Sequence, residues 1–195
     1  MTRKLLLPLA LFSLTFIGAG QKTSPAVQRA LANAVVNEQT AIARYTAFAA
    51  KAQDEGYIGV ADLFRATTKA ETIHLARFTA MMNTRGLQLP PDTTRPVVVG
   101  TTSANLQTAI AAELAERDQT YRSGYEVASE AADTEVMQIF DQTRDVETEH
   151  ANLELAAAHD LDSMRQPHTY TVCEICGYTT DVRFPVCPLC RHPLH

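Results

Sequence analysis

Two short stretches, ETIH from Glu71 to His74 and ETEH from Glu147 to His150, decide the fold of this 195-residue chain. Residues at i and i+3 lie about one turn apart on one face of an α-helix, so each glutamate and its histidine can reach a common point. The segments 60–64 and 136–140 resemble each other at the same spacing from the two stretches. The sequence therefore predicts two similar halves, each presenting a Glu-x-x-His pair.

The sequence around the two stretches predicts four long helices. Residues 26–86 and 105–159 carry apolar residues at helical spacing, with breaks predicted at 54–56 and 131–133. Between these blocks, the segment 87–103 contains Pro90, Pro91, Pro96 and Gly100, which a continuous helix does not accommodate. Two helical hairpins joined by one long crossover form an all-α, ferritin-like four-helix bundle, in which metal sites are built from inward-pointing side chains.

Further carboxylates complete a candidate metal site. Glu38 and Glu113 occupy matching places in the first helix of each hairpin, and Glu116 follows Glu113 by one turn where the first half has Ala41. A glutamate from each of two helices and a Glu-x-x-His from each of the other two are the ligands of a carboxylate-bridged dinuclear site. Carboxylates with imidazoles favour iron or manganese over magnesium or calcium. The alternative is that the glutamates line solvated faces and the histidines are core residues.

Four cysteines form a second candidate metal site near the end of the chain. Cys173 and Cys176 make one Cys-x-x-Cys pair, and Cys187 and Cys190 make another. Four thiolates in tetrahedral geometry suit zinc or a single iron ion. A structural zinc ribbon and a pair of disulfides are the alternatives. We therefore predict a bundle over residues 21–160, a linker over 161–169 and a four-cysteine domain over 170–195.

The N-terminus and the charge restrict location and partners. Arg3 and Lys4 precede an apolar run from Leu5 to Ile17, which is too short to span a bilayer comfortably, and small residues follow it at 18–20. This pattern predicts a signal peptide over residues 1–20 and an exported, periplasmic protein. An uncleaved N-terminal membrane anchor is the alternative. A formal net charge of -5 argues against nucleic-acid binding.

With both sites in place, the sequence resembles the rubrerythrin family over nearly all of the chain after the N-terminal segment. The residues that carry the resemblance are Glu38 with Tyr45, the two Glu-x-x-His stretches, Glu113 with Glu116, and the rubredoxin-like cysteines. The resemblance implies two iron ions bound by the seven residues Glu38, Glu71, His74, Glu113, Glu116, Glu147 and His150. It implies that Glu71 and Glu147 bridge, and that Glu116 replaces His74 on oxidation.

The resemblance also implies an activity. It is the reduction of hydrogen peroxide to water in oxidative-stress defence, with electrons entering through one iron, or in the alternative zinc, at the cysteines. An unidentified electron-donor protein is the expected partner, and the expected homodimer brings one subunit's cysteine centre near the other's diiron site. The cysteine loop is shorter than is usual in the family, and the signal peptide leaves the donor open. The rival hypotheses are a ferroxidase or iron-handling protein and a metal-stabilised structural module.

Overall fold

The first hairpin is formed by two long antiparallel helices. The structure is a computed structural model, which describes residues 23–94 and 96–194. Helix α1 spans Pro25–Asp54, with the Ser24 hydroxyl accepting from the backbone N–H of Val27 and proline at its first position. Helix α2 spans Ile58–Thr84. The turn between them passes through Gly56 at a φ of 76°, a conformation that glycine adopts without steric cost.

The second hairpin contains an irregularity that the sequence pattern does not predict. Helix α3 spans Thr102–Ala115, a π-helical turn covers Glu116–Tyr121, and helix α4 continues over Arg122–Glu130. Helix α5 spans Thr134–His159, and Asp133 caps its N-terminus by accepting a hydrogen bond from the backbone N–H of Val136. The periodicity predicted one unbroken helix here, but the wider π turn rotates the residues that follow and buries both of its ends, Glu116 and Tyr121.

The bundle is all-α and ferritin-like, as the sequence predicted. Two apolar clusters fill it, one around Phe48 and Phe64 and the other around Phe78 and Phe140. The buried carboxylates and histidines belong to neither cluster. Phe140 packs so close to α4 that a Cβ at Gly124 would lie 2.5 Å from its ring. Aromatic packing of this kind holds the helix backbones, and hence the polar side chains, at fixed separations.

The crossover between the hairpins has no helix over residues 85–94 and 96–101. Its end is fixed to the first hairpin, because the Glu55 carboxylate accepts hydrogen bonds from the backbone N–H (2.7 Å) and the hydroxyl (2.6 Å) of Thr102. Thr101 in turn caps α3 by accepting from the N–H of Ala104. These bonds set the start of α3 relative to the turn between α1 and α2.

The segment after α5 runs along α2 of the same chain. A short 3-10 helix covers Ser163–Arg165, and the buried Met164 joins the first apolar cluster. The backbone passes close to Gly59, where an added Cβ would lie 2.7 Å from the carbonyl oxygen of Gln166. The N–H of His168 donates to Asp62 at 3.2 Å. The path of the segment is therefore set by packing against α2.

The cysteine module is a small two-stranded unit. Strand β1 (Thr171–Val172) pairs antiparallel with strand β2 (Thr179–Thr180), and the four cysteines lie around this ribbon. Within residues 23–94 and 96–194, none of the helices is long and apolar enough to cross a membrane. The predicted signal peptide lies outside the described residues.

Candidate metal centres

The first half of the bundle site gathers around His74. Its Nδ1 atom lies 3.0 Å from Oε2 of Glu71, 3.2 Å from Oε1 of Glu147 and 3.9 Å from Oε1 of Glu38. All four side chains are fully buried. One donor atom from each residue lies within 4.8 Å of the others, so the four can hold one ion.

The second half gathers around His150 in the same way. Its Nδ1 atom lies 3.0 Å from Oε2 of Glu147, 3.4 Å from Oε1 of Glu71 and 3.5 Å from Oε2 of Glu113. Glu71 and Glu147 thus belong to both halves, and each turns one oxygen toward His74 and the other toward His150. In this arrangement both carboxylates would bridge two bound ions.

The polar atoms at the centre of the bundle fit metal ions. A buried polar atom that lacks a hydrogen bond costs about 1–3 kcal/mol, so such atoms are rare in folded proteins unless another ligand satisfies them. Here several converge, and the described residues offer them no hydrogen-bond partner. They are Glu38 Oε2, Glu71 Oε1, Glu113 Oε2, both Oε atoms of Glu147 and Nδ1 of His150. Two cations of charge +2 would neutralise the four carboxylates and satisfy these atoms.

Protons occupy the histidine side chains when no metal is bound. Burial on its own lowers the pKa of His74, but Glu147 and Glu71 reverse this effect and raise the pKa to about 9. The pKa of His150 is also raised, because the nearby carboxylates of Glu113, Glu147 and Glu71 favour the protonated ring and outweigh burial. A metal ion must displace the Nδ1 protons, so metal binding releases protons from this site.

The outer nitrogens of both histidines contact the cysteine module. Nε2 of His74 lies 3.1 Å from the carbonyl oxygen of Cys176, which can only accept, so Nε2 carries the proton. Nε2 of His150 lies 3.2 Å from the hydroxyl of Thr179, whose own proton is donated to the carbonyl of Gly177. The module therefore keeps a proton at Nε2 and directs Nδ1 of each imidazole toward the carboxylates, so that Nδ1 becomes the metal ligand once its own proton is displaced.

The four cysteine sulfurs form the second centre. Cys173 and Cys190 have their Sγ atoms 3.5 Å apart, and Cys176 and Cys187 have theirs 3.6 Å apart. All four thiols are free, at separations far beyond the 2.05 Å of a disulfide bond. The four atoms lie within 4.8 Å of one another, which suits one ion bound tetrahedrally at about 2.3 Å from each sulfur. The donor set fits zinc or iron.

Two buried tyrosines hold the terminal carboxylates from opposite helices. The hydroxyl of Tyr121 donates to Oε1 of Glu38 at 2.5 Å, and the hydroxyl of Tyr45 donates to Oε1 of Glu113. Burial raises the pKa of both phenols well above the usual value, so both remain protonated donors. The sequence could not show that each tyrosine bonds to the glutamate of the other hairpin.

Glu116 is the predicted ligand that lies apart from the other six. It is buried beside the site but belongs to neither group of donor atoms. Its Oε1 atom accepts from Nη2 of Arg44 at 2.9 Å, and its Oε2 atom lies 3.5 Å from the hydroxyl of Tyr121. The remaining six predicted ligands are brought together as two overlapping groups.

Sequence reasoning missed one buried and two half-buried charged residues near the centres. Glu154 lies one turn after His150 on α5 and is fully buried, and neither of its oxygens has a hydrogen-bond partner in the described part of the chain. Its spacing from Glu147 and His150 was a detectable signal, because i+4 and i+7 share a helix face. Arg44 and Arg77 carry no such signal, since their partners lie on other helices.

The four helices, the paired Glu-x-x-His ligands and the buried carboxylates define a ferritin-like protein with a dinuclear metal centre. The family model described as Rubrerythrin matches residues 29–158. The chain belongs to the rubrerythrin family. Members of this family are oxidoreductases. Family membership and the two groups of buried donor atoms together identify the bundle site as a diiron centre.

Individual relatives match over most of their length. The chain is 34% identical to rubrerythrin of Porphyromonas gingivalis over 181 residues, covering 89% of this chain and 88% of that protein. It is 31% identical to nigerythrin of Nitratidesulfovibrio vulgaris over 165 residues, covering 82% and 79%. The cysteine module lies beyond the part that the family model matches.

Solved structures share the fold. A partially reduced state of nigerythrin superposes with a TM-score of 0.79 at 28% identity, covering 99% of this chain and 96% of that one. A bacterioferritin of Mycobacterium tuberculosis gives a TM-score of 0.67 at 19% identity over 73% of this chain and 90% of that one, which shows a shared bundle fold only.

Proposed function

We propose that this protein is a diiron peroxidase that reduces hydrogen peroxide to water in oxidative-stress defence. Iron at the four cysteines supplies the electrons one at a time. The diiron centre, when bound, supplies the two electrons that cleave the O–O bond. Membership of the rubrerythrin family and the two converging donor sets support this proposal.

The observation that carries the proposal is the contact between His74 and Cys176. From the sulfur of Cys176, covalent bonds lead to its carbonyl oxygen, and one hydrogen bond of 3.1 Å leads to Nε2 of His74. The Nδ1 atom of the same ring lies among the carboxylates that fit the dinuclear centre. The path between the two centres thus crosses a single hydrogen bond. A zinc ribbon with a purely structural role does not require such a contact.

The contact between His74 and Cys176 joins residues of one chain, which supports a path within that chain. The resemblance led us to expect the cysteine centre of one subunit near the diiron site of the other. Here residues 160–170 pack on α2 and bring the module onto the bundle of the same chain. The homodimer stays a prediction. Electron transfer within one chain needs no partner subunit, whereas re-reduction of the cysteine centre still needs a donor protein.

The buried side chains of this site are arranged to keep protons at defined atoms. Tyr121 and Tyr45 hold theirs on the oxygens that bond to Glu38 and Glu113, and the two imidazoles hold theirs at Nε2. The bundle and the module exclude water from every one of these groups, since all are fully buried. A dry site with fixed donors stabilises developing negative charge on oxygen without reorganisation.

Stopped-flow absorbance tests the proposal directly. The iron-loaded protein, reduced without oxygen, is mixed in separate experiments with hydrogen peroxide and with oxygen. We expect peroxide to oxidise both centres far faster than oxygen does, and the visible bands of the ferric cysteine centre to develop after oxidation of the bundle centre. Cys190→Ser should remove these bands and leave the first phase.

The opposite outcomes have distinct meanings. Faster oxidation by oxygen, with release of ferric iron, would replace the proposal with a ferroxidase. Zinc at the cysteines of protein isolated from its own host would remove the relay. Matched samples of Glu147→Ala, which loses a bridging ligand, establish the rate at which peroxide reacts with the cysteine centre alone.

We also propose that the protein acts after export, in the periplasm, and that its electron donor is located there. The charged start and apolar run of residues 3–17 support this. Fractionation of host cells tests it, with a mass measurement of the N-terminus. Recovery in the periplasm with residues 1–20 removed is the expected result, and an intact N-terminus in the cytoplasm would contradict it.

A further inference from the structure

Arg44 is a half-buried cation beside the dinuclear centre that the proposed chemistry does not use. Its side chain is 16% exposed and that of Glu116 is 7% exposed, and Nη2 of Arg44 lies 2.9 Å from Oε1 of Glu116. Its guanidinium carbon also lies 5.1 Å from the centre of the Tyr45 ring. The ion pair joins α1 to the first residue of the π turn, so its partners come from different hairpins.

Glu116 lies within reach of the His74 half of the site. The hydroxyl of Tyr121 is 2.5 Å from Oε1 of Glu38 and 3.5 Å from Oε2 of Glu116, which places both carboxylates around one phenol oxygen. Glu38 is a donor in the group that includes His74. Rotation of the Glu116 side chain, without movement of the helix, would therefore bring a further carboxylate to the ion on that side.

We propose that Arg44 holds Glu116 away from the metal, so that the ion pair competes with the ion on the His74 side for the Glu116 carboxylate. This inference rests on the proposed function, because a change of charge at the diiron centre during peroxide reduction is what would move Glu116, as the family resemblance implies. Its test needs no oxidant. Arg44 is a positioning residue, since it acts only through Glu116.

The charges explain why the competition depends on the state of the metal. Two divalent ions are already balanced by the four carboxylates of Glu38, Glu71, Glu113 and Glu147. The attraction of Glu116 to Arg44 is then stronger than its attraction to the metal. A guanidinium and a carboxylate in hydrogen-bond contact inside a protein attract each other strongly, because little water screens them. A more highly charged metal ion attracts the same carboxylate more strongly and can withdraw it from Arg44. The ion pair thus sets the charge at which Glu116 changes partner.

Cobalt(II) is the probe, because its visible bands weaken as its coordination number rises and it stays divalent in air-free buffer. The experiment uses the full chain with zinc first placed at the cysteines. In the wild-type protein, Glu116 is held by Arg44, so Glu116→Gln should leave the cobalt spectrum of the bundle site unchanged. A changed spectrum would show that Glu116 already binds the divalent ion, and this result would overturn the proposal.

Removal of the cation gives the second arm. Arg44→Met keeps the length of the side chain and its packing on Tyr45, but releases Glu116. We expect the cobalt bands to weaken and the dissociation constant for cobalt to fall about tenfold, as an extra anionic ligand becomes free. Arg44→Lys keeps the charge and should restore the wild-type spectrum. Arg122→Met removes an exposed arginine that pairs with Glu126, and should change nothing.

The double variant distinguishes the proposal from simple charge removal. If Arg44→Met acts through Glu116, its effects disappear in the Glu116→Gln background. If the tenfold change persists there, Arg44 only repels cations and the proposal is wrong. Failure of the peroxidase assay leaves this test intact, because cobalt binding involves no peroxide and no electron transfer. Should Arg44→Met fail to fold, the Glu116→Gln spectrum still decides the first arm.

Discussion

Gly177 of the cysteine module packs against the imidazole of His74 so closely that a Cβ at position 177 would lie 2.6 Å from Nε2. The same glycine has a φ of 82°, in the left-handed region. This position follows Cys176, whose carbonyl receives the His74 hydrogen bond. The closeness of module and bundle therefore depends on the absence of a side chain at one residue.

Gly177→Ala should separate the two centres while leaving both intact. The added methyl group forces the module away from His74, and we expect electron transfer from the cysteine iron to slow about tenfold or more, because reactivity is sensitive to displacements near 1 Å. Single-turnover stopped-flow with peroxide measures this rate. Gly86→Ala is the control, since it shares a positive φ of 64° but has no neighbouring atom within 4 Å of the added Cβ. An unchanged rate in Gly177→Ala would contradict the proposed path.

Arg77 should raise the reduction potential of the cysteine iron. It lies one turn after His74, its Nη2 atom donates to Gln142 at 2.6 Å, and its buried Nη1 atom has no hydrogen bond to the described residues. Burial lowers the pKa of Arg77, and the thiols of Cys176 and Cys190 are the leading groups that oppose this shift. A nearby cation favours the reduced centre, which carries one more negative charge.

Redox titration of the visible bands tests this role. Arg77→Gln should lower the equilibrium constant for reduction about tenfold, which corresponds to about 59 mV for one electron. Arg77→Lys should restore most of the potential, because it restores the charge. The exposed Arg65, which pairs with Asp62 on the same helix, gives the control Arg65→Gln. Equal potentials for all four proteins would remove Arg77 from this role.

Electron transfer within one chain predicts that defective variants cannot complement each other. Glu147→Ala lacks a bridging ligand of the bundle centre, and Cys190→Ser lacks a ligand of the cysteine centre. Because the structure seats each module on its own bundle, we expect the two variants, unfolded and refolded together, to oxidise no more cysteine iron with peroxide than they do separately. Wild-type protein carried through the same refolding is the control. Recovered activity would show that the contact is made between subunits.

Glu154 should destabilise the metal-free protein as the pH rises. Burial raises its pKa to about 8, against an ordinary value of 4.5, with His150 and Tyr45 only partly offsetting this effect. The unfolded chain therefore loses this proton at a lower pH than the folded chain. The contribution of the protonated Glu154 to the free energy of unfolding is fully present below about pH 4.5, and it falls as the pH rises to about 8.

Urea unfolding at pH 5 and pH 8 measures this effect. Glu154→Gln has no charge to bury, so we expect it to lose less stability between the two values than the wild type, by up to a few kcal/mol. Other buried glutamates such as Glu116, whose pKa burial raises to about 7, keep part of the pH dependence in both proteins. Glu126→Gln is the exposed control. If Glu154→Gln and the wild type lose the same stability between pH 5 and pH 8, Glu154 is ionised in both the folded and the unfolded protein over this range.

Local spacing made much of the site predictable. Glu71 with His74, Glu147 with His150, and the two Cys-x-x-Cys pairs lie within one turn of helix or one knuckle, so the sequence alone places their donor atoms together. The duplication of the helical pattern predicted the pairing of the hairpins, and the prolines of the crossover predicted where helix is absent. The family resemblance rested on these same residues.

Long-range packing decided what spacing could not. The π turn at Glu116 was invisible in the periodicity, because an extra residue in one turn changes no residue type. The tyrosine contacts cross between hairpins, and their partners become neighbours only when the helices pack. The seating of the module on its own chain depended on Met164 and Gly59, which carry no metal-binding signal.

The sequence by itself determined which atoms can bind metal, because donor type and i to i+3 spacing are local properties. The tertiary structure alone decided how those atoms are used. It turned one oxygen of Glu71 and of Glu147 toward each histidine, placed Glu116 against Arg44, and brought Cys176 to His74. Apart from the local pairs Glu71 with His74 and Glu147 with His150, these contacts join residues far apart in the chain. Their geometry therefore follows from helix packing rather than from any pattern in the sequence.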